Sequence, residues 1–223
     1  MARIVATVSG GLDSVVLAHH LVDQGHDLLM LSIDYGQRHR KEHEFAERTA
    51  VRLEADYEVV DLRNIATMLP GYSLTDSNVD VPDQHYTAPG SVNVVPNRNV
   101  ILLSVAFGRA AAEKADKVAI GTVAGDDTTA PDCSREFIDA FNAMERVATA
   151  GYAPAELQVI APFIDVAKSE VINLGDRLGV RWAETWSCFN GYDVQCGLCA
   201  ACQDRRLAFE KSDVSDPTEY RNG

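Results

Sequence analysis

The stretch that decides the fold is IVATV, residues 4–8, followed at once by SGGLDS, residues 9–14. The first run is short, apolar and rich in β-branched residues, which predicts a buried strand. Apolar residues then recur at helical spacing up to Val22, and Gly25 ends the pattern. Two glycines between a strand and a helix let the backbone approach an anion, which the free N–H groups of the helix start would then face. The sequence therefore predicts a phosphate-binding strand–turn–helix at its start.

Composition narrows the class of protein. The chain has 223 residues, 46% of them hydrophobic and 24% charged, which is typical of one globular domain with at most a small appendage. Apolar runs stay well below the roughly 18 residues of a membrane span, and a secretory leader is not recognisable. The net charge of −13 argues against direct nucleic-acid binding, because neutralising phosphates needs a basic surface. We therefore expect a cytoplasmic protein with no membrane or nucleic-acid partner.

Strand and helix patterns alternate along most of the chain. Further strands are predicted at residues 28–33, 57–60, 118–120 and 157–160, and further helices at residues 40–53, 101–115, 134–150 and 168–178. This alternation predicts an α/β fold with a doubly wound parallel sheet. Ligands bind such sheets beyond the carboxyl ends of the strands, where residues 9–14, 34–37 and 121–127 would meet.

Residues 70–96 interrupt this alternation. They contain four prolines and two glycines, with many polar residues and no period. A loop of this length is uncommon within a compact domain unless it serves binding or catalysis. The sequence leaves two interpretations open, a lid over the binding site and a mobile insertion.

A cysteine cluster near the C-terminus indicates a metal site. Its members have the spacing C-x7-C-x2-C-x2-C and are Cys188, Cys196, Cys199 and Cys202. Four thiolates with no position left for water are typical of a structural zinc site in a reducing compartment, and an iron–sulfur cluster is the alternative. We accordingly divide the chain into a nucleotide-binding domain at 1–184, a zinc-binding module at 185–212 and a polar tail at 213–223, which we expect to be frayed. Cys133 lies outside the cluster and is predicted to be a small buried residue.

The loop at residues 9–14 resembles the S-G-G-x-D-S pyrophosphate loop of N-type ATP pyrophosphatases, which activate a substrate oxygen as its adenylate. It matches neither the dinucleotide fingerprint nor a Walker loop. Nearly the whole chain resembles the 7-cyano-7-deazaguanine synthase family of the queuosine-precursor pathway. The motifs that carry this resemblance, besides the loop and the cysteines, are DYGQR at 34–38, VPNRN at 95–99, PDC at 131–133, TWSC at 185–188 and RRLAF at 205–209.

The resemblance implies an adenine-nucleotide α-hydrolase-like fold and a reaction on 7-carboxy-7-deazaguanine. ATP would adenylate the carboxylate, ammonia would displace AMP to give the amide, and a second ATP would activate the amide for dehydration to the nitrile. Magnesium would accompany ATP, and zinc would occupy the cysteine cluster. The resemblance also implies a homodimer, for which residues 100–105 and Phe107 would supply apolar surface.

Site residues follow from the motifs that match the family. The implied ATP-binding residues are Val8, Ser9, Gly10, Gly11, Leu12, Asp13, Ser14, Val15, Val16, Leu17, Ala18, Asp34 and Tyr35. The implied catalytic residues are Asp13, Ser14, Arg98 and Lys168, the last two as cations for the α-phosphate or the substrate carboxylate. The implied substrate-binding residues are Gln37, Arg98, Asp126 and Asp132.

The chain also departs from the family pattern. Thr129 and Ala130 stand where the family has Gly-Tyr before Pro-Asp-Cys, and Val123 stands at a commonly polar position. Losing the aromatic ring predicts a roomier pocket with weaker stacking. An alternative is therefore a paralogue that adenylates the same acid but stops at the amide or joins it to another amine, including one on a macromolecule. A non-enzymatic nucleotide-binding protein conflicts with the intact loop, and a tRNA-thiolating relative conflicts with the acidic charge.

Overall fold

A parallel sheet lies at the centre of the molecule, with the strand order β3-β2-β1-β4-β5. In this computed structural model, which describes residues 1–83 and 90–222, the strands are β1 Arg3–Thr7, β2 Asp27–Asp34, β3 Asp56–Asp61, β4 Lys117–Ala119 and β5 Gln158–Ile160. The α-helices of the same residues are α1 Leu12–Asp23, α2 Glu42–Leu53, α3 Arg98–Glu113, α4 Arg135–Ala148, α5 Lys168–Arg177 and α6 Ala200–Glu210. The predicted doubly wound α/β fold is confirmed.

Apolar side chains cover both faces of the sheet. On β1, Ile4 and Ala6 pack into a cluster with α1, α2, α5 and α6, whereas Val5 packs into the opposite cluster with α3 and α4. Successive residues of a strand point to opposite faces, so a strand buried on both sides needs a continuous apolar run. That requirement explains why residues 4–8 show no polar alternation.

The predicted elements are present, and their ends differ by a few residues. The largest difference is at α3, which begins at Arg98 rather than at residue 101. Asn97 adopts a left-handed conformation with φ of 60°, so the preceding loop ends at Asn97 and the helix begins at Arg98. The apolar pattern did not show this start because Arg98 and Asn99 are polar. None of the helices within the described residues is both long and apolar enough to span a membrane.

The tail is not frayed over residues 213–222, so that expectation is wrong. Asp216 pairs with Arg205 of α6 at 3.0 Å, and Arg221 N donates to Gln195 O at 2.8 Å. Tyr220 forms an isolated parallel bridge with Gln195. A polar composition predicted fraying, but one ion pair with Arg205 and main-chain contacts with Gln195 hold the segment to residues 185–212, called the cysteine module below.

The long loop is held to the body of the molecule where the structure describes it. Arg38, which follows β2, donates from Nη2 to Val79 O at 2.8 Å and to Asp76 O at 3.1 Å and so ties the loop to the body. Within the loop itself, Ser73 Oγ donates to Asn93 Oδ1 at 2.6 Å. Residues 84–89, the middle of the predicted lid or insertion, lie outside the described residues.

The apolar surface expected for a dimer is smaller than the sequence suggested. Phe107 is only 1% exposed, because it packs with α4 against the sheet in the second apolar cluster. The prediction that Phe107 lies at a dimer interface is therefore wrong. Leu103 is 0% exposed in the same cluster, so the predicted contact is left to the other residues of 100–105.

Candidate active site

A cavity of about 320 Å³ opens beyond the carboxyl ends of β1, β2 and β4. The turn after β1, the start of α3 and the start of α5 all contribute to its wall. Side chains that line it include Ser9, Asp13, Tyr35, Arg98, Asp126 and Lys168. The structure therefore brings together residues from five separate segments of the chain. The parallel topology predicted the meeting of three of them, residues 9–14, 34–37 and 121–127.

The turn at residues 9–14 has the geometry of an anion-binding loop. Ser9 Oγ accepts from Gly11 N at 3.1 Å, and Ser14 Oγ donates to Gly11 O at 3.0 Å. Gly11 caps α1 without a side-chain hydrogen bond, which leaves N–H groups of the first helical turn available to a ligand. These contacts hold the turn in shape while its donors face the cavity.

The predicted ATP-binding residues differ in whether they line the cavity. Gly10 does not line it and lies against the main chain of α2. Those that line the cavity are Val8, Ser9, Gly11, Leu12, Asp13, Ser14 and Tyr35. The following helical residues do not line it and pack in the core instead, and these are Val15, Val16, Leu17 and Ala18. Asp34 is also away from the lining, where it accepts from Gly36 N and pairs with Arg40 at 2.8 Å. These residues support the loop from behind.

Lys168 sits among three carboxylates. Its Nζ lies 3.3 Å from Asp13 Oδ2 and also contacts Asp204. Burial alone would lower the pKa of Lys168, but the charges of Asp13, Asp204 and Asp126 raise it, so the ammonium stays protonated. Burial raises the pKa of Asp13 to about 6, against the opposing charge of Lys168. Lys168 is therefore a positive charge that the surrounding carboxylates hold in place before any ligand binds.

Asp204 was missed by the sequence analysis. It lies 36 residues from Lys168 along the chain, and its helix was assigned to the metal module alone. The structure shows that α6 carries both Cys202 and Asp204, so this helix links the cysteine cluster to the cavity. A contact of this kind leaves no periodic or spacing signal in the sequence.

Arg98 stands at the first position of α3 and lines the cavity. It hydrogen-bonds Tyr35, whose pKa burial raises and the Arg98 charge partly lowers. Its charge also acts on Asp126 and on Glu42, a buried carboxyl in the cavity wall that the sequence analysis did not single out. Arg98 is thus placed to meet an anionic group in the middle of the site.

Apart from Arg98, the predicted substrate-binding residues differ in whether they reach the cavity. Asp126 lines the cavity and accepts from Val123 N at 3.1 Å. Asp132 and Gln37 do not line it: Asp132 Oδ2 accepts from Asn99 N at 2.9 Å, and Gln37 Oε1 accepts from Tyr35 N at 2.9 Å. Their side chains are used to hold the start of α3 and the turn after β2.

The two departures from the family pattern differ in consequence. Thr129 and Ala130 line the cavity, so the missing aromatic ring belongs to its wall. Val123 is 2% exposed and packs in the core, so its apolar character does not reach the cavity. Burial raises the pKa of Cys133 to about 12, and Asn99 Nδ2 lies 3.2 Å from its sulfur, which is a neutral thiol rather than a nucleophile.

The cysteine cluster forms a closed metal-binding group. Its four sulfur atoms lie within 4.8 Å of one another, and all four residues are buried. The Sγ atoms of Cys196 and Cys202 are 3.8 Å apart. Backbone N–H groups of Leu198 and Cys199 point at the Cys196 sulfur at 3.4 and 3.3 Å, which favours a thiolate. The donor set fits one ion with four sulfur ligands.

Comparison with known proteins decides the family. The model of the family described as "Queuosine biosynthesis protein QueC" matches residues 3–213. The chain belongs to the QueC family. QueC relatives include a protein of Rhizobium etli named 7-cyano-7-deazaguanine synthase, 47% identical over 99% of this chain and 92% of its own length. A protein of the same name from Ruegeria pomeroyi is 48% identical over 98% of this chain and 94% of its own.

Solved structures agree on the fold of this QueC chain. A protein of Methanocaldococcus jannaschii, described as a predicted subunit of tRNA methyltransferase, superposes with a TM-score of 0.51 at 18% identity. The match covers 79% of this chain and 75% of the other. At this identity the likeness concerns the fold alone.

Proposed function

We propose that this chain is an ATP-dependent 7-cyano-7-deazaguanine synthase, which converts 7-carboxy-7-deazaguanine and ammonia to the nitrile. The observation that carries the proposal is the meeting of the Ser9–Ser14 loop, Arg98 and Lys168 in one cavity of a chain 47% identical to a protein of that name. The reaction class is C–N ligation driven by ATP.

The chemistry follows from the leaving groups. A carboxylate resists attack because oxide would have to leave, whereas AMP leaves readily from an acyl-adenylate. Ammonia then forms the amide, and a second adenylation, of the amide oxygen, allows its loss and gives the nitrile. Each round consumes one ATP and releases AMP and pyrophosphate.

The charged side chains divide this work. The loop at Ser9–Ser14 would bind the departing pyrophosphate through its N–H and hydroxyl groups. Arg98 can hold a carboxylate or the α-phosphate with two parallel hydrogen bonds, and Lys168 supplies a fixed positive charge beside the loop. Asn93 and Val94 of the long loop also line the cavity and would help to exclude water from the adenylate.

Magnesium fits beside the loop. Asp13 Oδ1 is buried and has no hydrogen-bond partner within the described residues, and carboxylate oxygens are ligands that Mg²⁺ prefers. When bound, the ion spreads the negative charge of the phosphates. Asp13 would hold it together with the ATP phosphates.

Zinc fits the cysteine cluster. A tetrahedron of sulfurs around Zn²⁺ has edges of about 3.8 Å, since each Zn–S bond is about 2.3 Å. The observed 3.8 Å between the Cys196 and Cys202 sulfurs matches that edge, and the 4.8 Å limit for the whole set suits a single ion better than a cluster of several irons. Cys188, Cys196, Cys199 and Cys202 would hold the ion, whose chemical contribution is structural.

Two further proposals accompany the function. A homodimer is implied by the resemblance, with residues 100–105 as the predicted contact, and light scattering at micromolar concentration tests it. A cytoplasmic location is supported by a metal group of free thiols, which persist in a reducing compartment.

The decisive assay is direct. Metal-replete protein is incubated with ATP, Mg²⁺, ammonium and 7-carboxy-7-deazaguanine, and mass spectra are read for acid, amide and nitrile. We expect the nitrile to accumulate with AMP and pyrophosphate. Amide as the final product would instead support the paralogue, which full-length similarity to named synthases does not favour.

A further inference from the structure

Glu42 is a buried carboxylate in the wall of the cavity. It occupies the first position of α2, and its side chain is 9% exposed. Gln37 Nε2 donates to its Oε1 at 3.0 Å, and the Ser9 hydroxyl also hydrogen-bonds the carboxylate. The group is therefore oriented, yet it still faces the space in which the reaction would occur.

The neighbouring ring of His39 does not neutralise the Glu42 carboxylate. His39 Nε2 lies 3.5 Å from Glu42 Oε1, but burial, assisted by the charge of Arg98, lowers the pKa of His39 to about 3. His39 is thus a neutral ring at physiological pH. Glu42 can then gain or lose a proton without breaking an ion pair with His39.

The backbone fixes Glu42 against the anion-binding loop. Gly10 has φ of +98°, and a Cβ there would lie 2.1 Å from Glu42 O and 2.9 Å from Ala46 N. Only glycine permits this close approach of α2 to the loop. The position of the Glu42 main chain relative to the loop is therefore fixed, and the Gln37 and Ser9 hydrogen bonds orient its carboxylate from there.

The other carboxylates of the cavity are engaged elsewhere. Asp13 and Asp204 contact Lys168, and Asp126 accepts the Val123 N–H at 3.1 Å. Cys133 is a neutral thiol with a raised pKa. Among the described acids that line the cavity, Glu42 is the one whose hydrogen bonds come from neutral side chains.

The proposed reaction needs a proton acceptor. When ammonia attacks the acyl-adenylate, the C–N bond forms, the C–O bond to AMP breaks, and the nitrogen must give up one proton to become the amide. We propose that Glu42 is a catalytic residue of this step, whose carboxylate takes that proton from the attacking nitrogen. The inference rests on the proposed function and adds the residue that deprotonates the amine.

The titration of Glu42 suits this role. Burial raises its pKa to about 7, opposed by the Gln37 hydrogen bond and the charge of Arg98 and assisted by Asp34. His39 and His43, which flank the same turn, both have lowered pKa values because they are buried. A base whose pKa lies near the working pH is effective in proton transfer.

The test separates the two chemical stages. The first assay measures acid-dependent exchange of pyrophosphate into ATP without ammonium, and the second measures amide formation with ammonium in one turnover. Glu42→Gln should slow amide formation about 100-fold, while exchange falls no more than about threefold, because glutamine keeps the size and one acceptor oxygen. Glu44→Gln, on the exposed side of the same helix, is the matched control and should match the wild type in both assays.

Two results would overturn the proposal. One is unchanged amide formation in Glu42→Gln, and the other is an equal loss in both assays, which would assign Glu42 to nucleotide binding. Should Glu42→Gln not fold, wild-type amide formation at fixed free ammonia must still fall on the acid side of pH 7, where exchange does not. A profile without that difference also overturns it. Absence of any exchange in the wild type would refute the proposed function instead.

Discussion

The cavity and the cysteine module, residues 185–212, differ in how their buried polar groups are paired, although Arg205 of the module also reaches the cavity wall. In the cavity, Asp13 Oδ1 and Thr122 Oγ1 are buried without a hydrogen-bond partner within the described residues, and burial raises the pKa of Asp13 to about 6. In the module, Arg205 is 1% exposed, and its guanidinium donates to Asp216, to Thr185 and to Trp182 O. Unpaired buried polar atoms cost stability, and those in the cavity wall are placed where a bound ligand would pair with them.

The comparison assigns a role to each region. In the proposed function, the unpaired groups of the cavity would meet phosphate, metal and substrate, whereas the paired charge of Arg205 would fasten the tail to α6. Helix α6 joins the two regions. It carries Cys202 of the cysteine cluster and also Asp204, which contacts Lys168 in the cavity. Mutations should therefore affect stability in the module and activity in the cavity.

Loss of a metal ligand should have the largest effect. Cys196→Ser removes one of four sulfurs, and because metal binding is coupled to folding, we expect loss of zinc and poorly soluble protein. Metal analysis and thermal unfolding measure both. Cys133→Ser, outside the cluster, is the control and should keep one zinc per chain. Zinc retained in Cys196→Ser, or iron with sulfide in the wild type, would contradict the proposal of a structural zinc ion held by the four cysteines.

Removal of the cavity cation should abolish turnover and change stability in a pH-dependent way. Lys168→Met leaves Asp13, Asp126 and Asp204 facing one another, which should cost about 3 kcal/mol at pH 8. The charge of Lys168 lowers the pKa of Asp13, so its removal should raise that pKa above the wild-type value of about 6. Acids whose pKa is raised in the folded state destabilise that state once they ionise, so the cost should shrink as the pH falls from 8 towards 6. Denaturant unfolding from pH 5 to 8 measures it.

The matched control for this change is Lys211→Met, at an exposed position at the end of α6. It should leave turnover and the pH dependence of unfolding as in the wild type. A cost in Lys168→Met that is independent of pH would contradict the acid cluster.

Loss of the ion pair between Asp216 of the tail and Arg205 of α6 should affect stability alone. Asp216→Asn weakens the contact with Arg205 and should cost about 2 kcal/mol of unfolding free energy, with kcat little changed. Burial would raise the pKa of Asp216, but its bonds with Arg205 outweigh this and lower it. The contribution is thus present above an ordinary Asp pKa of about 4 and is lost as the pH falls below it. The exposed Asp213→Asn is the control, and an equal loss there would refute the role of this ion pair.

The smallest expected effect concerns the missing aromatic ring. Ala130→Tyr adds a ring to the cavity wall and should tighten binding of 7-carboxy-7-deazaguanine about fivefold, the equivalent of about 1 kcal/mol of stacking. The KM for the acid measures it, with the exposed Ala148→Tyr as control. No change in KM would show that the ring at this position does not reach the substrate.

The sequence revealed the parts of the molecule that depend on local pattern. Strands buried on both faces, the glycine turn at Ser9–Ser14 and the cysteine spacing each leave a periodic or spaced signal. Asp204 and Glu42 leave no such signal, because their roles arise from contacts with residues far away along the chain. Asp204 contacts Lys168, and Glu42 lies against the loop that contains Gly10. The ordered tail was missed for the same reason, since Asp216 is held by Arg205 rather than by its own propensity.

The central claim is that one cavity adenylates first a carboxylate oxygen and then the amide oxygen on the same carbon atom. Its most direct test uses 7-carboxy-7-deazaguanine with both carboxylate oxygens labelled as ¹⁸O, incubated with ATP, Mg²⁺ and ammonium. The account predicts two AMP molecules for every nitrile, each carrying one ¹⁸O, with unlabelled pyrophosphate. Label in phosphate with ADP as product, or nitrile formed with unlabelled AMP, would contradict it.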